Sequence, residues 1–112
     1  MNLNALKQFS QIGFAVIPPE AFLEAADFCH QHVEVTRDVR FLFLEDCFRL
    51  SDQFWTEGDS GAVLSEDAVL LLALWKRHLP SILEVEDQET GITYASVLRD
   101  DLRAALAALR NL

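Results

Sequence analysis

The stretch Ser65-Glu-Asp-Ala-Val-Leu-Leu-Leu-Ala-Leu-Trp-Lys-Arg-His-Leu-Pro80 decides the fold class, because all its local signals point to one helix. Ser65 is the cap, Glu66 and Asp67 bring negative charge to the first turn, and Lys76, Arg77 and His78 bring bases to the last. Leu64 and Val69 stand where a hydrophobic staple bridges a cap. Pro80 predicts a stop just beyond Leu79, since a proline interrupts the hydrogen-bond ladder.

Upstream the same period continues. Val39, Phe43, Cys47 and Leu50 form one apolar row, and Phe41, Leu44 and Phe48 form a second. Two rows predict a helix buried on most sides, capped by Thr36 with Asp38 in its first turn. A buried strand over Val39 to Leu44 is the competing reading, because short apolar runs do not discriminate by period. Ser51 to Thr56 adds a further turn, and Glu57-Gly58-Asp59-Ser60-Gly61 has the chemistry of a loop. Earlier still, Phe22, Ala26, Cys29 and Val33 recur at helical spacing, with Pro18-Pro19 suited to opening that helix. Glu20, Glu24, Asp27 and Gln31 line another of its faces. Leu3, Leu6 and Phe9 predict a short first helix ending near Gly13; Phe14 to Ile17 reads as an extended connector or short strand.

Downstream, a last helix is expected from about Tyr94 to Asn111. Leu98, Leu102, Ala105, Leu109 and Leu112 form the seam of a helix-on-helix contact, and Asp100 is spaced to pair with Arg103. Ser81 to Ser96 stays open between two readings. Ser81 and Glu84 match the capping box of a short helix. Ile82 to Val85 and Ile92 to Tyr94, around the polar run Glu86 to Gly91, suit a β-hairpin equally. The expectation is a mainly α protein: a compact bundle of about five helices, with a possible short β-hairpin between 81 and 96. Residues 1–112 read as a single globular domain.

Composition agrees with a folded chain. Hydrophobic residues make up 51% of the sequence, including eight Phe, so a core needs neither disulfide nor structural metal. Cys29 and Cys47 make no disulfide framework, and Ala68 to Trp75 is too short an apolar run to span a bilayer. The N-terminal stretch lacks the charge and apolar length of a secretory signal. A cytoplasmic protein is the expectation. Eighteen acids against nine bases give a net charge of −9, which argues against nucleic acid and anionic membrane as partners.

No motif fixes a reaction, and no cofactor is implied. Cys29 and His32, at i and i+3, could give a metal two ligands, with Cys47 and an acid completing it. His30 and His32 diverge by about 200° on a helix and cannot share an ion. The two cysteines also fall on buried rows, where they serve as small core residues. Asp27 and His30 supply only one of the two carboxylate-x-x-His pairs that a helical di-iron site needs. Gly58-Asp59-Ser60-Gly61 repeats the letters around a serine-protease nucleophile, but a helical chain of this length cannot hold that two-barrel site.

What remains is recognition. Glu84, Glu86, Asp87 and Glu89 form an acidic cluster with no base between His78 and Leu98, and Glu20, Glu24 and Asp27 form a carboxylate stripe. Either set suits a basic protein surface, and Trp55 is a candidate aromatic anchor. The expectation is a small non-catalytic protein-binding module of inhibitor, immunity, antitoxin or chaperone type, with a basic partner. Two alternatives stand beside it: a metal-binding protein or small enzyme using Cys29, His32 and nearby carboxylates, and a structural homo-oligomer, in the simplest case a homodimer, through the C-terminal helix.

Overall fold

The apolar rows lie mostly on the inner sides of helices, although Val39, at the head of one row, is exposed and Phe43 and Leu50 are only partly buried. The computed structural model describes residues 1–9, 20–57 and 66–111, and among these five helices follow one another. They are α1 (Leu3–Gln8), α2 (Glu20–Thr36), α3 (Arg40–Glu57), α4 (Glu66–Glu84) and α5 (Gln88–Arg110). No strand occurs among the described residues. The radius of gyration, 13.2 Å, is that of a tightly folded chain of this length.

Side-chain partners give the helix directions. Asp27, His30 and His32 of α2 meet Arg49, Glu45 and Phe41 of α3 in reverse order, so these two helices run antiparallel. Phe43, Asp46 and Gln53 of α3 meet Arg99, Arg103 and Arg110 of α5 in ascending order, so that pair runs parallel. α3 lies centrally, packed by α2 and α5, and α5 also packs on α4.

The predicted rows supply the core. Phe22, Ala26 and Cys29 of α2 are buried, as are Phe41, Leu44, Cys47 and Phe48 of α3. The competing strand over Val39 to Leu44 is replaced by helix. Trp75 stacks on Phe48 with centroids 4.3 Å apart and donates its indole N–H to Ser51 Oγ at 3.0 Å. Ser51 passes the bond on to the Cys47 carbonyl at 2.9 Å, so the buried indole carries no unmet donor. In α1, Asn2 caps Ala5 N–H at 2.8 Å, and Phe9 meets Phe48 edge-on at 5.1 Å.

Several boundaries differ from the expectation. α4 does not stop at Pro80; it continues to Glu84. The ring forfeits one backbone bond, but continuing keeps Leu79 and Ile82 fully buried on the Leu71–Trp75 face, and burial of two such side chains outweighs that loss. The segment from 81 to 96 is therefore helix on both sides of a three-residue connection, not a hairpin. Ser81 sits inside α4, and the cap of α5 is Asp87, which starts that helix six residues before Tyr94. Thr36 ends α2 rather than opening α3. Its hydroxyl donates to the His32 carbonyl at 2.8 Å, and Asp38 Oδ1 accepts from Arg40 N–H at 3.1 Å. Between them Arg37 takes the left-handed conformation (φ 61°) that closes a helix, with its N–H on the Val33 carbonyl at 2.8 Å.

In the predicted seam, Leu98 and Leu102 are fully buried, and Leu109 and Ala105 pack partly against the core. Arg103 is directed at Asp46 of α3, 3.7 Å away, instead of Asp100. The stop at Gly13, the connector Phe14 to Ile17, the opening at Pro18-Pro19, the loop residues 58–61, the Ser65 cap with its Leu64 staple, and Leu112 lie outside the described residues.

Candidate interaction surface at the α4–α5 turn

The connection from α4 to α5 is short, so its carbonyls lack helical partners and need other donors. Arg40, in the first turn of α3, provides them. Its Nη1 donates to the Ile82 carbonyl at 3.1 Å and to the Val85 carbonyl at 2.6 Å. Its other donors grip Asp38 in a fork, with Nε on Oδ1 at 3.0 Å and Nη2 on Oδ2 at 2.6 Å. Both side chains are nearly closed off from solvent, at 15% and 14% exposure. The Arg40 hydrogen bond holds the Asp38 carboxyl below the usual carboxylate range, and the pairing raises Arg40 in turn.

Room for this clamp comes from Gly91. A Cβ there would overlap Arg40 Cδ and lie 2.9 Å from Cγ. Gln88 Oε1 adds a contact by accepting from Val39 N–H at 3.3 Å. Asp87 caps α5, accepting from Thr90 N–H at 3.2 Å and from its hydroxyl at 2.6 Å. Those bonds, the side-chain one foremost, lower the Asp87 pKa, with Arg40 contributing at longer range.

Glu84, Glu86, Asp87 and Glu89 are all exposed around this clamped turn. The cluster does have a base beside it, though not one near in sequence: Arg40 arrives from α3, and its charge reaches Asp87. The α2 stripe is elsewhere. Glu20 lies 16 residues from Thr36, or roughly 24 Å along the helix. Since Thr36 is the end of α2 next to the clamp, the two acidic sets face different ends of the bundle. Glu20, Glu24 and Asp27 are exposed; Arg49 approaches Asp27 at 3.5 Å while holding Glu45 at 2.9 Å. The backbone of Trp55 belongs to α3, and its side chain lies outside the described residues.

No family model, curated protein or solved structure matches this chain. The chemistry must be read from the side chains themselves.

The two thiols are poorly suited to metal or nucleophilic work. Burial pushes Cys29 and Cys47 up to about 12, with Glu45 and Asp46 respectively adding to the effect, so both stay protonated near neutrality. Cys47 spends its S–H on the Ala95 carbonyl at 3.7 Å. His30 turns to Glu45 at 3.0 Å and Glu34 at 3.3 Å, whereas His32 sits between the rings of Phe28 and Phe41. Among the described residues no group of three or more His, Cys, Asp or Glu is placed to hold a metal, and no helix is long and apolar enough to cross a membrane.

Sequence reasoning missed Arg40 and Gly91. One signal was available for the cap: Asp87 followed by Glu89 and Thr90 has the make-up of a helix start. Asp38 is a local partner of Arg40, but nothing local marks its clamping role, because the two carbonyls it holds lie more than 40 residues away.

Proposed function

We propose that this protein is a cytoplasmic, non-catalytic protein-binding module that engages a basic partner through the acidic turn between α4 and α5. One observation carries the reading: four exposed carboxylates stand on a turn whose backbone Arg40 holds in place. A fixed turn loses little conformational freedom on binding, so its charges act at full effect. Charge matching of this kind speeds encounter and selects partners. Inhibitor, immunity, antitoxin and chaperone proteins are concrete forms of such a module.

The test is capture of partners from native lysate at low and high salt, with wild type beside a Glu84→Gln/Glu86→Gln/Glu89→Gln variant. Asp87 is left intact because it caps α5. A basic protein held at low salt, released at high salt and lost by the variant supports the reading. Capture that ignores both salt and the variant removes this turn as the binding surface.

A further inference from the structure

We propose that the outer ridge of α3 at Val39 and Leu42 docks a basic protein segment through one large apolar side chain beside its lysines or arginines. This names the kind of partner that the acidic turn takes, and it rests on that reading of the turn.

Val39 and Leu42 are 38% and 51% exposed. Three residues apart, they share one side of the helix and lie roughly 4.5 Å from each other along its axis. Exposed apolar residues scattered singly are ordinary on any protein; a pair that joins a cleft to a run of charge is not. Val39 meets the turn. Its N–H is held by Gln88 Oε1 at 3.3 Å, and Asp87 and Glu89 flank Gln88 in the chain. Leu42 meets the cleft, which measures about 300 Å³ and has Phe43 as a further apolar wall. The charges around that cleft, Glu45 and Asp46 against Arg49 and Arg99, cancel, so what it offers is apolar contact. Attraction for a base comes from the neighbouring turn, at exposed Glu84, Glu86, Asp87 and Glu89.

The occupant follows from charge and from what each contact contributes. A second copy of this chain brings another net charge of −9 and is repelled. An anionic lipid surface is repelled likewise. Bases opposite the turn speed encounter, but exposed ion pairs hold only weakly in water. Lasting attachment comes from apolar side chains buried at the centre of a contact. Val39 and Leu42 supply that part beside the acids, so the fitting partner carries both chemistries in one short segment.

The probes are two synthetic peptides of equal charge, titrated into the full chain at low salt. One is lysine-rich with two leucines a helical turn apart; the other has serines in place of the leucines. The leucine peptide should move the methyl NMR signals of Val39 and Leu42 saturably and bind about 10-fold tighter than the serine peptide. Leu42→Ser should erase that 10-fold advantage and leave the serine peptide's affinity unchanged, while Glu84→Gln/Glu86→Gln/Glu89→Gln should weaken both peptides. Leu42 is exposed, so its variant keeps the fold, which the circular dichroism spectrum checks. Equal affinity for the two peptides, with both weakened by the glutamine variant, overturns the apolar anchor and leaves the acidic turn standing. A leucine peptide held through Leu42 but indifferent to the glutamine variant overturns the basic partner and the reading of the turn with it. Absence of binding, or a Leu42→Ser variant that holds the leucine peptide as wild type does, also overturns the proposal.

Discussion

Two arginines of α3, nine residues apart, make the same kind of bond and do different work. Arg40 forks onto Asp38 with both partners nearly closed off, and it also satisfies two carbonyls of the α4–α5 turn. Arg49 grips Glu45 at 2.9 Å and reaches Asp27 at 3.5 Å, but it is 45% exposed and Asp27 is 68% exposed. Water competes for the second set and hardly for the first. The lesson is that the weight of an ion pair follows from what else depends on it and how dry it is, and little from its charge.

Breaking the buried set should give the largest effect. Arg40→Ala leaves Asp38 without its fork and two turn carbonyls without donors, and a loss of about 3 kcal/mol in urea unfolding is expected. The same variant carries an acid signature. Arg40 depresses the folded-state pKa of Asp38, so the stability this pair contributes is present above the ordinary carboxylate value and is lost as pH falls through the folded-state value. The gap between wild type and Arg40→Ala should therefore be wide at neutral pH and narrow as pH falls through the lowered Asp38 value. A gap that stays constant across that range would show that the fork is not what stabilises.

Gly91→Ala comes next. Alanine is the better helix former by about 1 kcal/mol, yet its Cβ would push Arg40 off the turn, so a net loss of about 1–2 kcal/mol is expected. In the Arg40→Ala background the obstacle is gone, and the same change should become stabilising by up to about 1 kcal/mol. Thermal or urea unfolding of the four proteins in this cycle checks the reversal of sign. Arg37→Gly, at the turn leading into the clamp, relieves a left-handed residue and should stabilise by about 0.5–1 kcal/mol. Arg49→Ala should cost least, about 0.5 kcal/mol at low salt and less at high salt. An Arg49→Ala loss as large as that of Arg40→Ala would erase the contrast between the two sets.

The helices themselves were legible because periodicity is a local property. The row Phe22, Ala26, Cys29 and the row Phe41, Leu44, Phe48 were read directly and are buried; of the other row on α3 Cys47 is buried, Phe43 and Leu50 are partly buried and Val39 is exposed. The weak points were punctuation. Pro80 and Gly91 have strong local meanings, stop and turn, and the structure overrides both: Leu79 and Ile82 draw the helix through the proline, and Arg40 needs the space at the glycine. The acidic cluster at Glu84 to Glu89 was legible as a run of charge, but its apparent isolation was not real, since Arg40 stands behind it.

By itself, then, the sequence determined a mainly helical chain, the apolar faces that make its core, and a strong excess of acid. These follow from side-chain spacing and composition over a few turns. Only the tertiary structure decided that residues 81–96 are helical, that the two acidic sets lie towards different ends, and that Lys7, His32 and Arg40 line one cleft. Those depend on contacts between residues tens of positions apart, and free energy gained there is invisible to any local pattern.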